Sequence, residues 1–353
     1  MIFYFLYYIS IAFLLFLDYI TRNKKLFLYF CIFWIILISG TRYLTGYDFY
    51  NYQSYFYNYK DLSIEFLFKL SLFILNYFTS NSQFMFFIYS FFTIIIIFYA
   101  IKKYTKYLKT SFLIYLLIPG LYLNTFSIIR QGIAESILLL AFYYYIYRQN
   151  YLKFILFSLI SILFHYSAIV PFIFLILFSK FLKKSYSISF YFLILFGTIF
   201  ISQLSLGNKI IEVLPLMGRY VYYKEWVQEV NIIKIFVYNI FFCFFIIFKK
   251  NFIKNFQDNI MLNLLFFGII LLNIFSNYTP ITRLIYYFVI FQIFLVPKLI
   301  YSFKYNSLKI VFLMLFIFYY FIMLFNSLFV DSTTEGNSNL IPYKNYFFYE
   351  GLK

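Results

Sequence analysis

Ile2 to Leu17 is a run of sixteen residues without a charge, and apolar runs of 15 to 20 residues recur along the chain. Each is long enough, or nearly so, to cross a hydrocarbon core of ~30 Å as a helix. Their continuity, without alternation of apolar and polar residues, excludes a transmembrane β-barrel. Composition agrees: at 64% hydrophobic, 28% aromatic and 12% charged, a chain of 353 residues lacks the polar surface that a soluble domain needs. An all-α, polytopic membrane bundle is predicted. Ile2 to Leu17 has no basic stretch before it and no small-residue cleavage site after it, so a retained helix is expected there. Cys31 and Cys243 each lie inside an apolar run, which suggests neither a disulfide framework nor a cysteine metal site.

The formal net charge of +17 is not a nucleic-acid signal, because of where the charge lies. Basic clusters at Arg22 to Lys25, Lys102 to Lys109, Arg148 to Lys153, Lys180 to Lys184, Lys249 to Lys254 and Lys304 to Lys309 occupy short loops between apolar runs. Such loops mark the cytoplasmic face. With all six inside, the N-terminus starts outside, helices at about 2–18 and 26–40 cross, and the stretch TRYLTGYDFYNYQSYF at Thr41 to Phe56 becomes an external loop. Leu62 to Phe78 contains Glu65 and Lys69 and reads as an external helix lying on or dipping into the interface. Further helices are expected at about 83–101, 110–124, 126–147, 152–164, 166–180, 186–204, 232–248, 259–275, 284–303 and 309–330, twelve spans in all, with both termini outside. The inner side then holds 18 of the 29 basic residues and only Asp18 and Asp258 among the acids, a net +16, against +1 outside. One membrane domain, 1–353, is expected, with external elaborations at 41–82, 206–231 and 331–353.

Charges at membrane depth are costly unless they face protein or water, so they are functional candidates. Arg42, Arg130, His165, Arg219 and Arg283 all fall at the outer face in this threading. The inner loops use mostly Lys, whereas this face uses Arg, whose planar guanidinium binds phosphate through two hydrogen bonds. An anionic, phosphate-bearing ligand is the expectation. Any one of these arginines could equally anchor a helix end by snorkelling. His165, the only histidine, lies between two short helices beside Tyr166 and Ser167, and could be a buried helix breaker or a base for a hydroxyl nucleophile. Glu135 lies five residues from Arg130, which does not allow an i, i+4 pair between them. Asp48, in a loop with Tyr47, Tyr50, Asn51 and Tyr52, is the leading acidic candidate, since aromatic faces and short polar side chains together suit sugar rings. An interfacial aromatic belt would explain the tyrosines alone.

No Walker A sequence, GxGxxG after a strand, HExxH, DxD pair or cluster of His, Cys and carboxylates is apparent. ATP hydrolysis, metal-dependent nucleotide-sugar chemistry and zinc hydrolysis are disfavoured, and no cofactor is expected. The substrate must carry its own driving force.

The spaced segments TRYLTGYDFYNY at 41–52, IEFLFKL at 64–70, FSIIRQGIAESILLLAFYY at 126–144, LFHYSAIVPF at 163–172, TRLIYYF at 282–288 and IPYKNYFFY at 341–349 together resemble the EpsG-like, or Wzy-type, polysaccharide repeat-unit polymerases. Family members often carry a small residue or Thr where this chain has Tyr47. The resemblance implies a GT-C-like membrane glycosyltransferase in the bacterial cytoplasmic membrane. It would join undecaprenyl-pyrophosphate-linked oligosaccharides at the outer face, for an O-antigen, capsule or exopolysaccharide. The donor's leaving group is already activated, so neither nucleotide nor metal is needed. On that reading Arg130 and Arg283 hold pyrophosphate with Arg42 and Arg219 in support. Asp48 or His165 activates the acceptor hydroxyl, and Tyr47, Tyr50, Asn51, Tyr52, Gln131 and Tyr166 contact substrate. Membrane lipid, a chain-length regulator and a flippase are the partners implied. A flippase of lipid-linked oligosaccharide and an O-antigen ligase are the competing readings.

Overall fold

In a computed structural model the chain is described over residues 1–21, 25–203, 232–276, 278–333 and 339–350. All regular secondary structure among these residues is helical. Contacts divide the chain into two compact units, one of Met1–Ile169 with Leu313–Lys353 and one of Val170–Phe312.

In the first unit, α1 (Ile2–Ile20) and α2 (Leu26–Gly40) pack side by side, and α2 lies against α5 (Ser82–Tyr104). Next come α6 (Leu108–Leu117), α7 (Ile129–Ile146) and α8 (Tyr151–Phe164), with α7 and α8 forming a close hairpin and α5 lying along α7. The expected helix at about 110–124 stops at Leu117, because Pro119 restricts the residue before it and Ile118 is extended. The stretch expected as a loop contains a helix, α3 (Phe49–Tyr57). Its aromatic residues are spaced for one: Phe49, Tyr52 and Phe56 fall on one helical face and are all buried.

The helix expected at Leu62 to Phe78 is α4 (Phe66–Phe78), which buries Phe68, Leu72 and Leu75. At 13 residues it is about 20 Å long, short of a hydrocarbon core. Both Lys69, near its start, and Asn76, near its end, bond to backbone carbonyls between Phe56 and Leu62. The buried faces of α3 and α4 meet Met85, Phe86 and Tyr89 of α5 and Ile129, Ile133 and Ile137 of α7 in one cluster. Phe49 stacks on Phe86 at 4.4 Å. Gly46, at φ 103°, turns the chain into α3; a Cβ there would lie 2.2 Å from the Phe126 carbonyl oxygen, so only glycine fits.

The segment after the last long helix returns to the same region. The Asp331 carboxylate accepts from the Leu340 and Ile341 amides at 2.7 and 3.0 Å. Backbone bonds then tie Gly46 to Asn339, Tyr43 to Lys344 and Tyr346 to Thr41.

The second unit contains helices Ile188–Gln203, Ile232–Ile247, Phe256–Phe275, Thr279–Val289 and Gln292–Ser302. Phe256–Phe275 starts with a capping box of Asn255 and Asp258. The helix expected at 284–303 begins earlier, because Pro280 suits a first turn, and is interrupted between Val289 and Gln292. Asn239, Asn273 and Thr198, from three other helices of this unit, are buried and satisfy one another.

Among the described residues, five helices are long and apolar enough to cross a membrane: Ile2–Ile20, Ser82–Tyr104, Phe256–Phe275, Asn306–Thr333 and, taken through its interruption as one segment, Ile281–Ser302. Other apolar helices run 10–17 residues. Ion pairs join residues assigned to one side by charge: Lys109 meets Asp18 at 2.6 Å, and Lys298 meets Asp258.

Candidate functional site

The first unit gathers two basic side chains from distant parts of the sequence around one carboxylate. Glu65, at the N-terminal boundary of α4, is 4% exposed. Its Oε2 accepts from Arg130 Nη1 at 2.6 Å, and its Oε1 lies 2.7 Å from His165 Nδ1.

Local sequence puts each group there. Glu65 is extended, φ −58° and ψ 139°, and ends the stretch before the helix. Arg130 is the second residue of α7, so its side chain projects from the helix start toward α3 and α4. His165 terminates α8 with an extended backbone, φ −156° and ψ 119°, before the short turn Tyr166–Ala168. The break expected between two short helices is present. Tyr52, Tyr55 and Phe68 surround the Arg130 guanidinium at 5.5 to 5.9 Å. Tyr52 accepts from the Arg130 amide at 3.4 Å.

The electrostatics are those of a buried anion with two cationic or donor partners. Burial by itself raises the Glu65 pKa, but the His165 hydrogen bond and the Arg130 charge more than offset this and take it down to about 2. The group is therefore a carboxylate at neutral pH. A carboxylate only accepts, so in the neutral ring of His165 the proton sits on Nδ1 and the lone pair on Nε2. Among the described residues Nε2 has no hydrogen-bond partner, and the His165 side chain keeps 26% of its surface exposed. Arg130 keeps 22% of its side-chain surface, while its Nε is buried without a partner. This arrangement offers a base nitrogen oriented by a carboxylate, next to a guanidinium held in place by that carboxylate.

The other sequence candidates are placed as follows. Asp48 is half-buried and accepts from Asn51 Nδ2 at 3.1 Å; its side chain bonds to neither Arg130 nor His165. It lies one turn before Tyr52, its carbonyl accepting the Tyr52 amide. Tyr47, Tyr50 and Tyr166 are exposed, whereas Tyr52 is buried under the site. Gln131 is buried and donates to Glu135 Oε1 at 2.7 Å, one turn further along α7. Arg42 is 1% exposed. It donates to the Ser39 carbonyl and to Ser90 Oγ, and its guanidinium lies about 5 Å from the rings of Phe86 and Phe126. That enclosure leaves it no open face toward a ligand. Arg283 is half-buried in helix Thr279–Val289 of the second unit, and Arg219 lies outside the described residues.

Glu65 was not among the sequence candidates. Its signal is an acid inside an otherwise apolar stretch, a pattern that a helix lying on the interface also produces.

A model of the EpsG family matches residues 25–345, nearly the whole chain. The chain belongs to the EpsG family, which places it among membrane proteins of the polysaccharide-polymerase type. No curated protein and no solved structure matches it.

Proposed function

We propose that this EpsG-family protein joins lipid-pyrophosphate-linked oligosaccharide repeat units by glycosyl transfer. The observation that carries the reading is the bridging carboxylate of Glu65, with Arg130 on one oxygen and His165 on the other.

His165 Nε2 takes the proton from an acceptor sugar hydroxyl as its oxygen attacks the anomeric carbon of the donor. The bond from that carbon to the pyrophosphate breaks, and the lipid pyrophosphate departs with the electron pair. Arg130 meets the negative charge that develops on the leaving group. The Glu65 carboxylate holds the ring in the productive tautomer and stabilises the imidazolium that forms, as the acid of a Ser-His-Asp triad does. Tyr47 and Tyr50, exposed on the loop and on α3, and Tyr166 next to His165 supply aromatic faces for sugars. Asp48 then orients the acceptor rather than deprotonating it. Arg42 supports the site by holding the turn after α2, and Arg283 remains a phosphate-binding candidate within its own unit.

The twelve-span threading, the outer-face location in a bacterial cytoplasmic membrane, the undecaprenyl carrier and a GT-C-like architecture belong to the same proposal. Three ion-pair groups support the threading, since each joins residues that it assigns to one side.

The test mixes purified protein with lipid-pyrophosphate-linked repeat units, without added nucleotide, and resolves products by length. A ladder of longer chains that is lost in His165→Ala and Arg130→Ala supports the polymerase. Unchanged substrate together with transbilayer movement of it in vesicles would replace this reading with a flippase.

A further inference from the structure

The far end of α7 carries a second cluster, separate from the Glu65 site. α7 has 18 residues, so its two ends lie about 27 Å apart, with Arg130 at one and Arg148 just beyond the other. There, Lys103 from the last turn of α5, Arg148 from the turn between α7 and α8, and Lys153 from the first turn of α8 line a cavity of about 370 Å³ with Tyr143, Tyr144 and Asn150.

Three observations give this cavity a ligand chemistry. First, its lining contains three cations and no acid, and none of the four ion pairs among the described residues uses them. Second, the cations are held by neutral aromatic groups. Arg148 Nε donates to the Tyr143 hydroxyl at 3.0 Å, its two terminal nitrogens make no hydrogen bond to the described residues, and Lys103 and Lys153 lie over the rings of Tyr99 and Tyr144. Third, Asn150 caps α8 by accepting from the Lys153 amide, so the positive end of a 14-residue helix opens at the same place.

Depth selects the source. α5 is apolar and 23 residues long, about 35 Å, so Lys103 in its last turn stands at the level of lipid headgroups if α5 crosses the membrane. We infer that this cavity binds the phosphate of an anionic phospholipid headgroup, with Arg148 as the bidentate ligand and Lys103 and Lys153 as supporting charges. The site is independent of the glycosyl-transfer reading.

The full chain, delipidated in a neutral detergent, is titrated with phosphatidylglycerol, phosphatidylcholine or inorganic phosphate and read by native mass spectrometry. A one-to-one phosphatidylglycerol adduct is expected, with little from phosphatidylcholine. Arg148→Gln with Lys153→Gln should weaken that adduct roughly 25-fold, since each basic residue near an anionic headgroup contributes about fivefold. Lys103→Gln, on a different helix, should weaken it about fivefold, and Arg130→Gln, at the other end of α7, should leave it unchanged. Equal adducts from both phospholipids, or an unweakened adduct in the double variant, would overturn the inference. Binding of inorganic phosphate without any lipid adduct would assign the site to a soluble anion and overturn it as well.

Discussion

Replacing Glu65 with Gln preserves shape while removing the charge that joins Arg130 to His165. The two carboxylate oxygens each accept at present, at 2.6 and 2.7 Å. An amide offers one acceptor and one donor in their place. Arg130 only donates, so it claims the amide oxygen, and the amide NH₂ then faces His165 Nδ1. The ring can satisfy that donor only by moving its own proton to Nε2. The nitrogen proposed as base becomes a donor, and the expected loss of transfer rate is about 10⁴-fold, the size seen when the orienting acid of a Ser-His-Asp triad becomes an amide. Stability falls as well, by about 3 kcal/mol at neutral pH, the equivalent of lowering a carboxylate pKa from 4.5 to about 2. Because His165 is the only histidine, ¹⁵N-histidine labelling gives one ring to observe in the intact protein without substrate. The neutral ring should carry its proton on Nδ1 in the wild type and on Nε2 in Glu65→Gln. The same tautomer in both would refute the orienting role of Glu65, whether or not the protein forms a ladder. The expected tautomers in a protein that forms no ladder would instead count against the polymerase reading alone.

Two further outcomes follow from the same contacts. Glu65 has a depressed pKa in the folded chain, so its stabilisation is complete above about pH 4.5 and is lost as pH falls toward about 2; apparent melting temperature should drop across that window, and Glu65→Gln should flatten the drop. Arg42→Leu removes a buried guanidinium bound to Ser39 and Ser90 between two aromatic rings, and should destabilise by about 3 kcal/mol, read as a lower apparent melting temperature, with the His165 tautomer unchanged.

The Thr41 to Phe56 stretch shows how far local pattern reaches. Its aromatic spacing was sufficient for a helix from Phe49, but a high density of Tyr, Asn and Gly reads equally as a sugar-binding loop or an interfacial belt. Which face is buried depended on α4 and α5 arriving to cover Phe49, Tyr52 and Phe56. Arg42 illustrates the opposite difficulty. An arginine following an apolar helix looks the same in sequence whether it snorkels, binds phosphate or is enclosed, and only Ser90 and Phe126, 48 and 84 residues away, decide that it is enclosed.

Sequence by itself determined the solvent of this protein. Apolar runs, few charges and basic loops follow from transfer free energies that each segment feels alone, so helices and a membrane environment could be read without any partner. The family could be read as well, from short segments in a fixed order. The chemistry of the candidate site was decided by tertiary structure. Glu65 lies 65 residues from Arg130 and 100 from His165, and an ion pair falls off over a few ångströms while sequence separation carries no distance information. Only the packing of α3 and α4 on α5, α7 and α8 turned an acid in an apolar stretch into the group that orients the single histidine.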